Sequence, residues 1–295
     1  MRAAVVTEFG GPEAVRIVDA PVPEPAARQV RIKVEAATLN PVDAGVRSGG
    51  FGGAGTQLGL GWDVAGTVDA VGVASAWQPG ERVVALQYGV AKALGTHAEY
   101  VVVDTDAVAK VPASVDVVHA ATLPLNALTA AQALDLLDLR PGQSLLVTGA
   151  AGAVGGFAVQ LAAHAGVEVT GLAREDDEEL VRSLGASAFV TDGTEGGFDA
   201  VLDAAVLGER ALARARDGGA YAGVIPQAEP PSVRGVRVAA VEVAADGARL
   251  AELARLVDDG VLTLRVAETV PLEDAQKAHA RLAEGGVRGR VVLVP

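Results

Sequence analysis

The chain of 295 residues contains no cysteine, which excludes disulfides and every zinc site built with a thiolate. Positive charge is also scarce: 24 Lys and Arg stand against 37 Asp and Glu, a formal net charge of −13 at pH 7. There is no basic block. A chain of that sign offers little to a phosphate backbone or an anionic headgroup, which argues against nucleic acid or a membrane surface as partner. No long apolar run suggests a membrane span. The first residues, MRAAVVTEFGGPEAV, lack the charged start and extended apolar core of a secretory signal. A cytoplasmic location is the resulting expectation. Lysine is rare beside arginine, which reads as base composition and carries no function.

What the chain does have is a hydrophobic fraction of 50%, enough for a large core and, at this length, for two domains. Its organising stretch is Ser144 to Arg174. The apolar run Leu145–Val147 suits a buried parallel strand. A glycine-rich turn, Gly149-Ala150-Ala151-Gly152-Ala153-Val154-Gly155, follows at once, then a helical stretch from Phe157 to Ala165 and a second β-type run, Val167–Leu172. This is a βαβ unit whose crossover should be right-handed. Such a turn suits phosphate. Gly152 lets the backbone approach a pyrophosphate, Gly155 lets the helix pack on the sheet, and the helix start offers N–H groups and partial positive charge. Ala150 stands where the G-x-G-x-x-G pattern has its first glycine, but the strand–turn–helix context supports dinucleotide binding over a plain βα turn. At the end of the second strand, where an enzyme selecting NAD has an acid, this chain has Arg174. A guanidinium suits a 2′-phosphate, so NADPH is the expected coenzyme. The alternative is a surface pairing of Arg174 with Glu175, Asp176 or Asp177.

The first third predicts short strands at Ala3–Val6, Val15–Val18, Val30–Ala36, Gly61–Gly72, Glu81–Leu86, His97–Val103 and Ala107–Val111. Glycine and proline turns between them suggest an irregular barrel. Asn40-Pro41 should open a short helix ending near Ser48, followed by a glycine-rich loop. From Pro112 the pattern changes: Ser114 is a plausible N-cap, and helices and strands then alternate. The strands are Phe189-Val190, Ala200–Leu202, Tyr221–Ile225 and Val236–Val243, with a helix Leu207–Arg216 among them. The alternation predicts a doubly wound parallel sheet. The tail adds a helix Arg249 to Asp259, a strand near Leu264, a helix Glu273 to Ala283 and a strand Arg290–Val294.

In order, the segments FGGPEAV, LNPVDAGVRSG, GWDVAGTVDAVG, PGERVVAL, GTHAEYVVV, ATLPLNALTAAQAL, VTGAAGAVG, FDAVLDA and VRGRVVLVP resemble the medium-chain dehydrogenase/reductase superfamily, in its zinc-independent, zeta-crystallin-like quinone oxidoreductase branch. The resemblance covers nearly the whole chain. It implies an α/β protein: a GroES-like irregular β-barrel lobe from residues 1–113 and 245–295, and a Rossmann lobe, a doubly wound parallel sheet, from residues 114–244. It implies NADPH as hydride donor and a homodimer joined through sheet edges, with Val236–Val243 as the pairing strand. Zinc-dependent relatives carry Gly-His-Glu where this chain has Gly61-Trp62-Asp63, so Trp62 replaces a ligand. His97, His119, His164 and His279 have no ligand-like spacing. No metal is therefore expected, and reduction of an electron-poor acceptor is favoured over alcohol oxidation.

The resemblance also places residues. Asn40 would lie beside the nicotinamide and hydrogen-bond coenzyme or acceptor oxygen; the alternative is a plain Asn-Pro turn. Asp43 bonds backbone at a helix start. Gly45 stands where relatives have a pocket aromatic, which should open the pocket, and Trp62 could serve as a flat wall. Tyr88 could donate a proton or stack. Thr129, Val224 and Ile225 would pack near the nicotinamide, and Arg290 fits a basic position near the C-terminus. The reading is an NADPH-dependent reductase of quinones or α,β-unsaturated carbonyls, with a small-molecule electrophile as partner. Its rivals are a dedicated biosynthetic enoyl or ketone reductase and a non-catalytic NADPH-binding structural or sensor protein.

Overall fold

The computed structural model describes residues 1–51, 57–192 and 196–295. The glycine-rich loop expected after Gly49 therefore lies largely outside the described residues. In chain order the elements are β1 (Arg2–Val6), β2 (Arg16–Asp19), β3 (Gln29–Leu39), α1 (Pro41–Ser48), β4 (Leu58–Gly59), β5 (Asp63–Val71), β6 (Arg82–Leu86), β7 (Tyr100–Asp104), β8 (Val108–Lys110), α2 (Val117–Ala120) and α3 (Pro124–Leu137). They continue with β9 (Ser144–Thr148), α4 (Ala153–His164), β10 (Glu168–Leu172), α5 (Glu178–Ser183), β11 (Ala188–Val190), β12 (Phe198–Asp203), α6 (Glu209–Leu212), β13 (Ala215–Gly223) and β14 (Arg237–Ala240). The tail holds α7 (Gly247–Asp258), β15 (Val266–Pro271), α8 (Ala275–Glu284) and β16 (Arg290–Val294). Contacts divide the chain into two units, Met1–Leu125 with Ala244–Asp258 and Leu264–Pro295, and Asn126–Val243 with Asp259–Thr263.

The first unit is built on β3. Along Gln29–Val34 polar and apolar residues alternate, so Val30, Ile32 and Val34 enter the core while Lys33 faces water. That is the period-two rule of a half-buried strand. From Ala36 to Leu39 every residue is buried. β3 pairs antiparallel with β5, β7 and β16, and β16 in turn pairs parallel with β15. Register shifts interrupt the β3–β5 ladder between Arg31 and Ile32 and between Val34 and Ala36, and such bulges bend a sheet. Val30, Ile32, Val64, Val83 and Val101 form one core cluster, and Leu39, Leu58, Leu60, Leu272 and Leu293 belong to another. The C-terminal tail thus completes the sheet begun by the N-terminal third.

The second unit is a wholly parallel sheet in the order β11-β10-β9-β12-β13-β14. This is the doubly wound Rossmann order, whose ligands bind at the carboxyl ends of the strands where the winding reverses, here between β9 and β12. Leu145, Leu146 and Val147 at its centre have no exposure, as the apolar run predicts.

Three local expectations change. The helix expected over Leu207–Arg216 shrinks to α6, because Ala215 and Arg216 already belong to β13 alongside Phe198 of β12. Alanine and arginine are among the better helix formers, but tertiary context overrides propensity, and here parallel pairing does so. The N-cap after Pro112 is Asp116, whose carboxylate accepts the His119 backbone N–H at 2.8 Å, rather than Ser114. Finally, the strand near Leu264 begins at Val266, where pairing with β16 starts.

Candidate functional site

In the second unit the turn after β9 is made by Gly149, which takes φ +61. That left-handed conformation suits a residue without Cβ. Its neighbour Ala150 is fully buried, and its N–H donates to the Leu172 carbonyl at 3.1 Å. The alanine at the pattern's first glycine position is therefore accommodated, since the sharp bend falls one residue earlier. A Cβ on Gly155 would lie 2.2 Å from the Gly149 carbonyl oxygen, so α4 packs against the turn itself. Gly152 is the N-cap of α4 and carries no side chain there, with φ −71. A Cβ on it would meet one atom, the Gly149 oxygen at 3.0 Å. Ala153, Val154 and Gly155 open the helix, where N–H groups lack intrahelical acceptors. A backbone cradle with positive polarity and no protruding side chain fits a diphosphate. Ala151 lies within the same turn and is buried.

One carboxylate organises the facing loop. Asp203, the last residue of β12, accepts the Thr148 hydroxyl at 2.6 Å, the Tyr221 hydroxyl at 2.8 Å and the N–H groups of Leu207 and Gly208 at 3.1 and 2.8 Å. Burial and this carboxylate raise the Tyr221 phenol above its usual range. Thr148 in turn accepts the Ala205 N–H at 3.0 Å, and Ala205 lies against Gly149. A cavity of about 190 Å³ at these strand ends is lined by Thr148, Leu172, Thr191, Leu207 and Arg210. Arg174 is exposed, two residues beyond β10. Val224 and Ile225 follow the end of β13, half-buried and exposed respectively, and Thr129 is buried on α3.

The first unit gathers a separate polar cluster around Asn40, which is 1% exposed. Its Nδ2 donates to Asp63 Oδ2 at 2.6 Å and, longer, to the Thr38 carbonyl at 3.4 Å. Asn40 also forms a capping box with Asp43 at the start of α1, so its amide is tied into its own unit. Asp43 secures the segment: it accepts the Asn40 N–H at 2.8 Å and the Gly61 N–H at 2.7 Å. This is the backbone role expected for it. Asp63 also accepts the Leu125 N–H at 2.5 Å. Burial pushes the Asp63 carboxyl up to about 7, while the Leu125 and Asn40 donors pull it down. Arg290, at the start of β16, has a buried guanidinium lowered to about 10 by burial, against the opposing pull of Asp63.

Trp62 is buried and meets the Tyr88 ring edge-on, centroids 5.4 Å apart. Tyr88 is 49% exposed. The Lys92 ammonium stands 4.7 Å from the centre of the Trp62 ring. Above Gly45 lies the Phe51 ring, 2.8 Å from where a Cβ would stand. An aromatic from six residues on thus covers the position that carries none. His97 and His279 are buried with ring centroids 6.5 Å apart. Among the described residues no group of three His, Asp or Glu side chains is arranged to hold a metal. Sequence reasoning passed over Asp63, Phe51 and Lys92. Asp63 adjoins Trp62 in a flagged motif, and Lys92 is one of four lysines in the chain, a signal of rarity alone.

Comparison with known proteins gives the same architecture a lineage. Residues 26–113 match the alcohol dehydrogenase GroES-like domain, and residues 177–293 match the zinc-binding dehydrogenase family. The chain is 33% identical over its whole length to an NADPH-dependent alkenal/one oxidoreductase, chloroplastic, of Arabidopsis thaliana, covering 80% of that protein. It is 37% identical to the quinone oxidoreductase of Homo sapiens, over 63% of this chain and 57% of that one. Its fold superposes on the quinone oxidoreductase from Coxiella burnetii with a TM-score of 0.89 at 26% identity, covering 100% and 99% of the two chains. With two domain families in the order the fold requires and a relative one-third identical from end to end, the chain belongs to the medium-chain dehydrogenase/reductase superfamily, in its quinone oxidoreductase-like branch.

Proposed function

We propose that the chain is an NADPH-dependent reductase that transfers a hydride to a quinone or an α,β-unsaturated carbonyl without a metal. The observation that supports this reading is the turn from Gly149 to Gly155, where α4 packs directly on the Gly149 carbonyl and a glycine stands at the helix N-cap, an arrangement suited to a diphosphate. NADPH supplies the hydride. Arg174 would pair with the 2′-phosphate, and the cavity at the strand ends would take the adenosine. Asn40, whose amide is held by Asp63 and Thr38, would lie beside the nicotinamide. Thr129, Val224, Ile225 and Arg290 would border the nicotinamide end. Trp62, Tyr88 and the Phe51-covered Gly45 would shape the acceptor pocket. Reduction without a metal is supported by Trp62 at the ligand position and by the lack of cysteine.

Residues 1–113 with 245–295 are assigned to the acceptor, and residues 114–244 to the coenzyme. A cytoplasmic homodimer joined along β14, the outer strand of the parallel sheet, completes the proposal. The test is NADPH oxidation, followed at 340 nm, against a panel of quinones and enones. Turnover of at least one acceptor is expected; NADPH binding without turnover of any acceptor would favour a sensor role instead.

A further inference from the structure

We propose that Lys92 is the proton donor of the reductase reaction, passing an Nζ proton to the acceptor oxygen as hydride arrives; this rests on the reductase reading above. The lysine is fixed by its surroundings. Its Nζ donates to the Gln87 carbonyl at 2.8 Å and stands 4.7 Å from the centre of the Trp62 ring. The backbone closes the same loop, with the Gln87 N–H on the Trp62 carbonyl at 2.8 Å and the Gly59 N–H on the Lys92 carbonyl at 2.7 Å. Trp62 carries Tyr88 on its edge, and Gly61 and Asp63 on either side of it are tied to Asp43 and Asn40. The ammonium therefore faces the residues proposed to surround the acceptor.

Among the described residues Lys92 forms no ion pair. Asp43 and Asp63 attract it from a distance, but their oxygens are already engaged by the N–H groups of Asn40, Gly61 and Leu125. His97, the other titratable group that senses it, is kept neutral by burial. Desolvation lowers Lys92 to about 8, opposed by Asp43 and Asp63. An acid poised near the working pH is protonated often enough to act and weak enough to let go. A carboxylate-paired lysine would be neither.

The step balances. Hydride from NADPH forms a C–H bond at the β-carbon of the enone, and the C=C pair moves toward the carbonyl. The oxygen takes the Nζ proton to give an enol, which tautomerises in water. NADPH loses two electrons, the acceptor gains two, and Lys92 regains its proton from solvent. For a quinone the same proton completes the quinol.

The test uses the full chain with Lys92→Met and Lys92→Arg. We expect kcat to fall about 10²- to 10⁴-fold in both, with KM and NADPH affinity within about threefold of wild type. The loss of wild-type rate above pH 8 should vanish in both variants. A second readout needs no turnover: in a Trp77→Phe background, Trp62 fluorescence should titrate near pH 8, and Lys92→Met should abolish the transition. Wild-type kcat in Lys92→Met, full rescue by the always-charged arginine, or a flat fluorescence titration would each overturn the proposal. A wild-type protein that binds NADPH but reduces no acceptor would overturn the reductase reading, and this inference with it.

Discussion

A methyl group on Gly155 should uncouple coenzyme binding from folding. In Gly155→Ala the new Cβ would stand 2.2 Å from the Gly149 oxygen, 2.7 Å from its carbonyl carbon and 3.1 Å from the Ala150 Cα. Ordinary contact begins near 3.4 Å, so turn and helix must part by 3.4 − 2.2, about 1.2 Å. Overpacking of that kind costs about 1–3 kcal/mol, offset by up to about 1 kcal/mol from replacing glycine in a helix. Stability should therefore fall by about 0–3 kcal/mol. Binding should suffer more. A shift of an ångström removes at least one charge-assisted hydrogen bond to the diphosphate, about 1.5–3 kcal/mol, or about 10- to 150-fold in Kd. Gly152→Ala provides the contrast. Its φ of −71 is ordinary and its Cβ meets one atom, at 3.0 Å, so Tm should stay within about 2 °C while NADPH affinity falls comparably, because the methyl stands where phosphate must approach. Calorimetric titration with NADPH, paired with thermal melts, reads both quantities. Wild-type NADPH affinity in Gly155→Ala would refute the assignment of this turn to the diphosphate.

Arg174→Ser should weaken NADPH about tenfold or more and leave NADH nearly unchanged, the loss expected for one charged contact; equal effects on both coenzymes would remove Arg174 from the specificity site. Asp63→Ala removes the carboxylate that accepts from Asn40 Nδ2 and the Leu125 N–H in a buried site. With hydrogen bonds to a charged group worth about 1.5–3 kcal/mol each, a loss of about 2–5 kcal/mol in urea unfolding and a drop in kcat are expected. His279 is 1% exposed, and burial lowers it to about 3, with His97 and Arg47 adding to the shift. Its folded pKa lies below the unfolded value, so the unfolded chain binds the proton first. Stability is unaffected above about pH 6.5 and declines as pH falls toward 3. At pH 5 the loss is about 2 kcal/mol, and His279→Leu should escape it, measured as the difference between wild-type and variant melts at pH 5 and 7.5. Asp63, shifted the opposite way, cancels from that difference.

Local chemistry made much of the fold legible. Asn40-Pro41 at one end and Gly49 at the other delimit α1 as expected, and the strand, glycine turn and helix after Ser144 lie where hydrophobic period and turn residues put them. What could not be read was whatever depends on distant partners. Asp63 acquires its role from Leu125, 62 residues on, and from Arg290. Lys92 becomes a notable acid through desolvation beside Trp62, which no local spacing encodes. Ala215 leaves the expected helix because its partner across the sheet, Phe198, is not encoded by local sequence. The inward commitment of the Asn40 amide is of the same kind, a consequence of which carboxylate lies behind it.

The bend at Gly149 reaches beyond this chain. Here the left-handed backbone falls at Gly149, one residue earlier than the first glycine of the G-x-G-x-x-G pattern, and the bare contact between helix and loop at Gly155. A pattern keyed to a glycine at the later site would pass over such a chain. Scoring where a backbone can reverse, instead of matching letters, would recover it.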